Sequence, residues 1–296
     1  IRVYGDENLL QSPFGWGLST ELPPSIKVHQ LNLDIDSGAG TILTQFNGDL
    51  GAMSAFKYDI TNAVHWLRHD ARVMIIGAGG GRDILSALVF GQKSVTSAEI
   101  NPNIIKAVTE NFGDFTGHLD RNPKVELLNE EGRSYLTHTD KTFDIIQLSL
   151  VDTFAATSAG AFTLSENSLY TREAWALMLS RLSPDGIISA TRWYTAQRPG
   201  EIYRLAALAV QTLKDAGIKD VRKHIILIRL NRNPDATTGN SSGLGSLLLS
   251  KRPFTDKEIN AIEDLCKRMK FEIAVSSRHC SDPTLAGITS DQFEKT

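Results

Sequence analysis

The sequence predicts an α/β fold: a doubly wound, mostly parallel sheet closed by an antiparallel hairpin and preceded by a separate N-terminal β-hairpin. Three observations predict it. Short apolar runs alternate with helical stretches through the middle of the chain, the runs carry apolar residues at successive positions, and after Gly200 two strands are joined by a polar loop without a helix. Strands apolar on both faces suit a buried parallel sheet, whose connections are helical, whereas strands joined directly by a loop pair antiparallel. The expected parallel strands are residues 73–76, 95–100, 125–128, 143–148 and 187–190. A helix over 201–216 then leads to strands 221–230 and 244–249, which flank the loop NRNPDATTGNSSG.

Ahead of the sheet, residues 26–46 alternate apolar and polar around a Ser-Gly-Ala-Gly turn and read as a β-hairpin. A helix over about 57–69 is expected next, beginning with Tyr58 and Asp59, which either reach the pocket or cap that helix. Beyond the sheet, 255–269 reads as an amphipathic helix with Thr255 as N-cap, and 281–296 as a polar, peripheral tail. The chain thus divides into an N-terminal hairpin segment (1–55), a central α/β domain (56–254) and a C-terminal helix and tail (255–296). Five parallel strands closed by an antiparallel hairpin is the Rossmann-like plan of class I S-adenosylmethionine (SAM) enzymes, reached here from pattern alone.

Composition narrows the function. The 296 residues hold 31 basic and 34 acidic side chains, with 41% hydrophobic and 22% charged residues, an ordinary globular balance. Without a Lys/Arg block, binding dominated by nucleic-acid phosphates is not expected. The longest apolar runs fall far short of the roughly 20 residues that cross a bilayer, so this chain by itself is expected to make no membrane contact. Two cysteines, Cys266 and Cys280, lack metal-site or disulfide-framework spacing, which suits a reducing, cytoplasmic compartment. The first residue is Ile1 and no leader is visible, so a processed or excised segment is expected.

The strongest motif is RVMIIGAGGGRD at 72–83, a strand entering a glycine turn and then a helix. Gly77, Gly79 and Gly81 permit a tight turn that brings a helix N-terminus close to a ligand. Arg82 stands where a dinucleotide fingerprint needs its third glycine, leaving the G-x-G-x-G form seen with SAM. Glu99, followed by Ile100, ends the next expected strand about 20 positions on, the spacing of an acid that accepts ribose hydroxyls. The plainer reading is a glutamate capping the helix that follows Asn101-Pro102. In LLNEEGRSYL at 127–136, Glu131 precedes Gly132 and a helix; it either accepts from an adenine amino group or caps that helix. These three strand-end loops converge at the carboxyl edge of the sheet, where α/β ligands bind.

After the fourth strand comes a long stretch of small and hydroxyl side chains, expected to cover the reacting centre. Ser149, expected to contact the cofactor, lies at its start, and Asp152 is the leading candidate to attract a cationic substrate or take its proton, with Glu166 and Asp59 as further candidates. His65 and His69 lie four apart on the expected helix, where exposed polarity is favoured over a zinc site. Trp66, Trp175 and Trp193 are expected in the core.

Together these residues resemble the spermidine/spermine synthase (polyamine aminopropyltransferase) superfamily over roughly residues 25–250. The resemblance rests on the hairpin, the YD pair at 58–59, IIGAGGGRD, AEIN, the EEG turn, FDIIQLSLVDT and SLYT. SLVDT and GAFTLSEN mark a bacterial subgroup often joined to membrane segments. The resemblance implies a transferase that moves an aminopropyl group to a small-molecule amine. Its cofactor would be decarboxylated SAM, giving methylthioadenosine, or SAM, giving S-adenosylhomocysteine, with no metal. Glu99 would bind ribose, Glu131 and Gly132 adenine, and residues 150–166 would form the gatekeeping loop; a homodimer and membrane segments outside this chain also fit that family.

Two departures bear on the chemistry. The family has an Asp in the glycine turn where this chain has Gly80, and a D-x-x-D after the fourth strand, of which Asp152 would be the second acid if one residue is inserted. Asp83 would replace the turn acid. Alternatively Arg82 would pair with the carboxylate of intact SAM, which favours a small-molecule methyltransferase. A non-catalytic nucleoside- or polyamine-sensing domain is the third expectation.

Overall fold

A computed structural model of the chain describes residues 1–36, 39–151, 168–197, 199–230 and 243–290. The N-terminal sheet comprises β1 (Arg2–Tyr4), β2 (Leu10–Gln11), β3 (Val28–Asp36) and β4 (Ala39–Thr44), with β3 antiparallel to the other three. The expected hairpin is β3 with β4. Alternation along KVHQLNLDI turns Leu31 and Leu33 inward, where they pack with Leu43, Ile104, Val108 and Phe115. β1 and β2 are too short to show a period.

The expected 57–69 helix is instead two 3₁₀ turns, Ser54–Tyr58 and Ile60–Trp66, divided by Asp59. Asp59 is extended (φ −99°, ψ 135°), accepts the Thr61 N–H through its side chain and forms a bridge with Leu18. An Asp that bonds the backbone two residues on competes with continuous helix.

The main sheet contains β5 (Arg72–Ile76), β6 (Ser94–Ala98), β7 (Val125–Leu128), β8 (Phe143–Ser149), β9 (Leu182–Tyr194), β10 (Ile225–Leu230), β11 (Gly243–Ser250) and β12 (Glu272–Val275). Its spatial order is β12-β10-β11-β9-β8-β5-β6-β7. Strands β5 to β9 are parallel and β10 pairs antiparallel with β11, as the pattern predicts, while β11 also pairs antiparallel with β9 and an unexpected β12 with β10. Successive residues of β5 face opposite ways: Val73 and Ile75 pack with helix α1 (Arg82–Val89) and helix Asp256–Met269, while Met74 and Ile76 pack with helices Arg172–Arg181 and Gly200–Asp215. Trp175 is fully buried as expected, and Trp66 and Trp193 are half-buried.

Several boundaries move. β6 stops at Ala98, which leaves Glu99 and Ile100 beyond the strand. β9 begins at Leu182, and its register against β8 slips before Ile187, an irregularity that hides its start from any alternation. Residues 221–224 form a 3₁₀ turn ahead of β10. Between the C-terminal helix and the tail, β12 adds an edge strand, and the tail is not wholly peripheral, since helix Pro283–Ile288 buries Leu285 and Ile288. Four-residue and six-residue elements carry too few periods to be read from sequence. Among the described residues no helix is long and apolar enough to cross a membrane.

Helix Asp256–Met269 starts with the expected Thr255 cap, and Glu258 completes a capping box. The same Glu258 carboxylate binds Arg252 at 2.8 and 3.0 Å and also pairs with Arg68, so it ties this helix to the segment preceding β5. These partners hold its carboxyl down at about 2 despite burial. Removing one partner of a buried cluster strands the remaining charges, so Glu258→Ala is expected to lose about 3 kcal/mol in urea unfolding at pH 7. A loss no larger than that of an exposed surface substitution would contradict this role.

Candidate functional site

From β5 the chain passes to β6 on one side, while β8 pairs with the other side, so the glycine turn after β5 sits at the reversal point of the sheet. Gly77, Gly79 and Gly81 have left-handed φ values of 85°, 50° and 83°, which glycine adopts without strain. Gly80 is constrained differently. A Cβ there would lie 2.2 Å from the Ile42 carbonyl oxygen of β4, and the Gly80 N–H donates to Thr41 Oγ1 at 3.2 Å. The N-terminal sheet therefore roofs the turn.

Glu99 is 6% exposed just past β6. One carboxylate oxygen accepts the Gly79 N–H at 3.1 Å and the other the Asn101 N–H at 2.9 Å, so the ribose candidate also braces the glycine turn and the next helix. A carboxylate has about four acceptor sites, so two remain for a ligand. Ile100 beside it is 68% exposed and presents an apolar face. Asn129 Nδ2 donates to the Glu99 carbonyl at 2.9 Å, and the Glu130 N–H donates to the same oxygen at 3.1 Å, which joins the loops after β6 and β7.

Glu131 takes the capping role that the sequence left open. Its oxygens accept the Arg133 N–H at 2.9 Å and the Ser134 N–H at 2.7 Å, as N-cap of helix Gly132–His138. Gly132 lets that helix pack on β5, since a Cβ would fall 2.6 Å from Ile76 Cγ2.

Asp59, a candidate for the amine or for a helix cap, takes the cap of the second 3₁₀ turn. Its side chain is fully enclosed: one oxygen accepts the Thr61 N–H at 2.9 Å and hydroxyl at 2.8 Å, and the other pairs with Arg82. Gly15 and Gly17 close over this pair, with Cβ positions that would meet Arg82 and Asp59. Arg82 thereby has a buried counter-charge in Asp59.

Asp83, in the first turn of α1, is also buried, and the Ser149 hydroxyl at the end of β8 favours its anion. Burial pushes its carboxyl up to about 6, against the effects of Ser149 and the charge of Arg82. Ser149 is the last residue of β8, and D-x-x-D spacing counted back from Asp152 lands on it, so no inserted residue is needed. Asp152 and Glu166 lie outside the described residues.

His65 is not exposed, as expected from sequence, but fully buried. Its ring stacks on Phe90 and lies 3.0 Å from Gln147 Oε1 and 3.1 Å from Gln92 Nε2. Burial lowers its pKa to about 4. His69 is exposed, and among the described residues no group of three metal-ligating side chains occurs. The sequence signal for this inward face was weak, because His65, Gln92 and Gln147 come from three separate segments.

His65 and Asp83 pull stability in opposite directions with pH. His65 falls from 6.5 to about 4 on folding, so the unfolded chain binds more protons between those values and stability rises with pH. Asp83 rises from 3.8 to about 6, so the folded chain binds more protons there and stability falls with rising pH. Each effect amounts to about 2 kcal/mol across pH 4.5 to 6, and they nearly cancel in the native protein. Asp83→Asn should therefore unmask stability that rises with pH over this range, and His65→Gln stability that falls; parallel slopes in urea titrations would refute the assignment. Gly80→Asp, which drives a side chain into the Ile42 carbonyl, should lower stability by about 3 kcal/mol in the same assay rather than supply a turn acid.

Residues 54–222, more than half of the chain, match the family model of the spermine/spermidine synthase domain. A stretch of 126 residues is 28% identical to polyamine aminopropyltransferase 2 of Pseudomonas aeruginosa, covering 42% of this chain and 34% of that protein. Another of 125 residues is 26% identical to the polyamine aminopropyltransferase of Korarchaeum cryptofilum, covering 42% and 36%. The match spans about a third of the length of these curated relatives. The crystal structure of a probable spermidine synthase from Corynebacterium glutamicum superposes with a TM-score of 0.57 at 15% identity, over 90% of this chain and 93% of that one, which is a likeness of fold. The matched residues begin at the first 3₁₀ turn and take in the glycine turn, Glu99, the Glu131 loop and β8, and the chain belongs to the spermine/spermidine synthase domain family.

Proposed function

We propose that the chain transfers an aminopropyl group from decarboxylated SAM to a small amine of the polyamine class, releasing methylthioadenosine. The observation that carries this reading is Glu99, a nearly buried carboxylate that braces the glycine turn and keeps acceptor sites beside the exposed Ile100. That donor set fits a nucleoside: Glu99 would accept the ribose hydroxyls, Ile100 would lie against the base, and the Glu131–Gly132 loop would border it. When bound, the sulfonium supplies an electrophilic carbon and a neutral thioether leaving group. The residues of this chain then have mainly to align the amine with that carbon, and alignment alone can account for much of the rate.

The decarboxylated cofactor is favoured over intact SAM by the Arg82–Asp59 pair. Arg82 is the sole cation in GAGGGRD, and its pairing with Asp59 weighs against the contact with a ligand carboxylate that would favour a methyltransferase. The buried Asp83 next to it adds a group that an aminopropyl ammonium would attract and a carboxylate would repel.

Calorimetry and turnover test the proposal together. Decarboxylated SAM and methylthioadenosine should bind, intact SAM at least tenfold more weakly, and mixing the decarboxylated form with a panel of di- and triamines should release methylthioadenosine. Glu99→Gln should weaken methylthioadenosine binding at least tenfold, about 1.4 kcal/mol. Tight binding of intact SAM with labelled methyl transfer would replace this reading with a methyltransferase, and binding without turnover would replace it with a sensor.

A further inference from the structure

The geometry points to Asp83 and Ser149 as a catalytic pair that takes the proton from the acceptor amine, with Gln92, His65 and Gln147 as positioning residues that set the direction of the Ser149 hydroxyl. This rests on the aminopropyl-transfer reading above.

The direction follows from backbone anchors. Gln92 Oε1 accepts the Ala71 N–H at 2.7 Å, and Gln92 Nε2 donates to the Arg68 carbonyl at 2.8 Å, so its amide has one orientation. The second Nε2 proton goes to His65 Nδ1 at 3.1 Å, which must then hold a lone pair. Buried and neutral, His65 carries its proton on Nε2 and donates to Gln147 Oε1 at 3.0 Å. Gln147 Nε2 in turn donates to the Thr61 carbonyl at 3.2 Å and to Ser149 Oγ at 3.1 Å. Ser149 therefore receives a hydrogen from Gln147, and its own is left for Asp83, whose anion it favours from the end of β8. Gln92, His65 and Gln147 are fully buried, whereas Ser149 is half-buried at the end of β8, beside the glycine turn. One lone pair on Ser149 Oγ remains to accept from an ammonium.

The proton accounting is simple. An acceptor R–NH₃⁺ gives one proton to Ser149 Oγ as the Ser149 hydroxyl passes its own to Asp83, which leaves a neutral amine and a neutral carboxyl. The nitrogen lone pair forms the C–N bond, the C–S bond breaks with its electron pair going to sulfur, and the product leaves as a secondary ammonium. Asp83 returns its proton to water. The charged groups acting on Asp83 are Arg82, which favours its anion, and Asp59, which opposes it; with burial they hold Asp83 near 6, so both of its forms are accessible close to neutrality.

The test compares the native chain with Asp83→Asn, Ser149→Ala and Ser149→Thr. Methylthioadenosine affinity is measured by calorimetry, and kcat and KM against pH with the best amine of the panel. Asp83→Asn and Ser149→Ala should each lose at least 100-fold in kcat near pH 7 with methylthioadenosine affinity within threefold, and the loss should shrink as pH approaches the amine's own pKa. Ser149→Thr, which keeps the hydroxyl, should stay within about tenfold. Nitrogen NMR of the native chain should show His65 unprotonated at Nδ1. A kcat within threefold for Ser149→Ala or Asp83→Asn, or a proton on His65 Nδ1, would overturn the pair while leaving the transfer reading intact. A native chain that binds methylthioadenosine but turns over no amine overturns the transfer reading itself.

Discussion

The Gly80 backbone lies so close to the Ile42 carbonyl that no side chain fits between them, and much of the site depends on that contact. It presses the N-terminal sheet onto the glycine turn, while Thr41 anchors the turn from above and Glu99 braces it from the side. A turn held from two directions keeps its shape without a ligand, so less conformational entropy remains to be lost when one binds. The same contact excludes an acid at position 80. The carboxylates around the turn come instead from Glu99, which accepts the Gly79 N–H, and from Asp83 in the first turn of α1.

Such a buried acid needs electrostatic company. Arg82 beside it would add a second buried charge of opposite sign, but its guanidinium is neutralised by Asp59 and overlaid by the Phe14–Leu18 region of the N-terminal segment. Asp83 is left with a hydroxyl partner rather than an ion partner, which is why burial dominates its titration. Beneath it the Gln92–His65–Gln147 chain shows how a sheet interior can hold polar groups without charge. Each donor meets an acceptor, and the imidazole stays neutral because protonation would leave it facing an amide donor.

The sequence made the sheet plan legible because its five parallel strands are apolar on both faces and bounded by glycine or polar residues, a pattern that few other arrangements satisfy. It also singled out Glu99, which the structure shows just past β6 with its carboxylate on the glycine turn. It misread the segment around Asp59, where a side-chain cap and a bridge to Leu18 override helical spacing. β12 and helix Pro283–Ile288 went unread because elements of four and six residues carry too little period.

What the sequence by itself determined is the order of strands and the chemistry available at their ends, because both follow from local residue patterns. What only the tertiary structure decided is which of those groups are occupied with one another. Asp59 with Arg82, Glu131 with its helix, His65 with Gln147 and Asp83 with Ser149 are partnerships that depend on where separate elements meet. Three of them join segments distant in the chain, where spacing says nothing about distance. The fourth, Glu131, is local, but choosing between cap and ligand required the position of its oxygens.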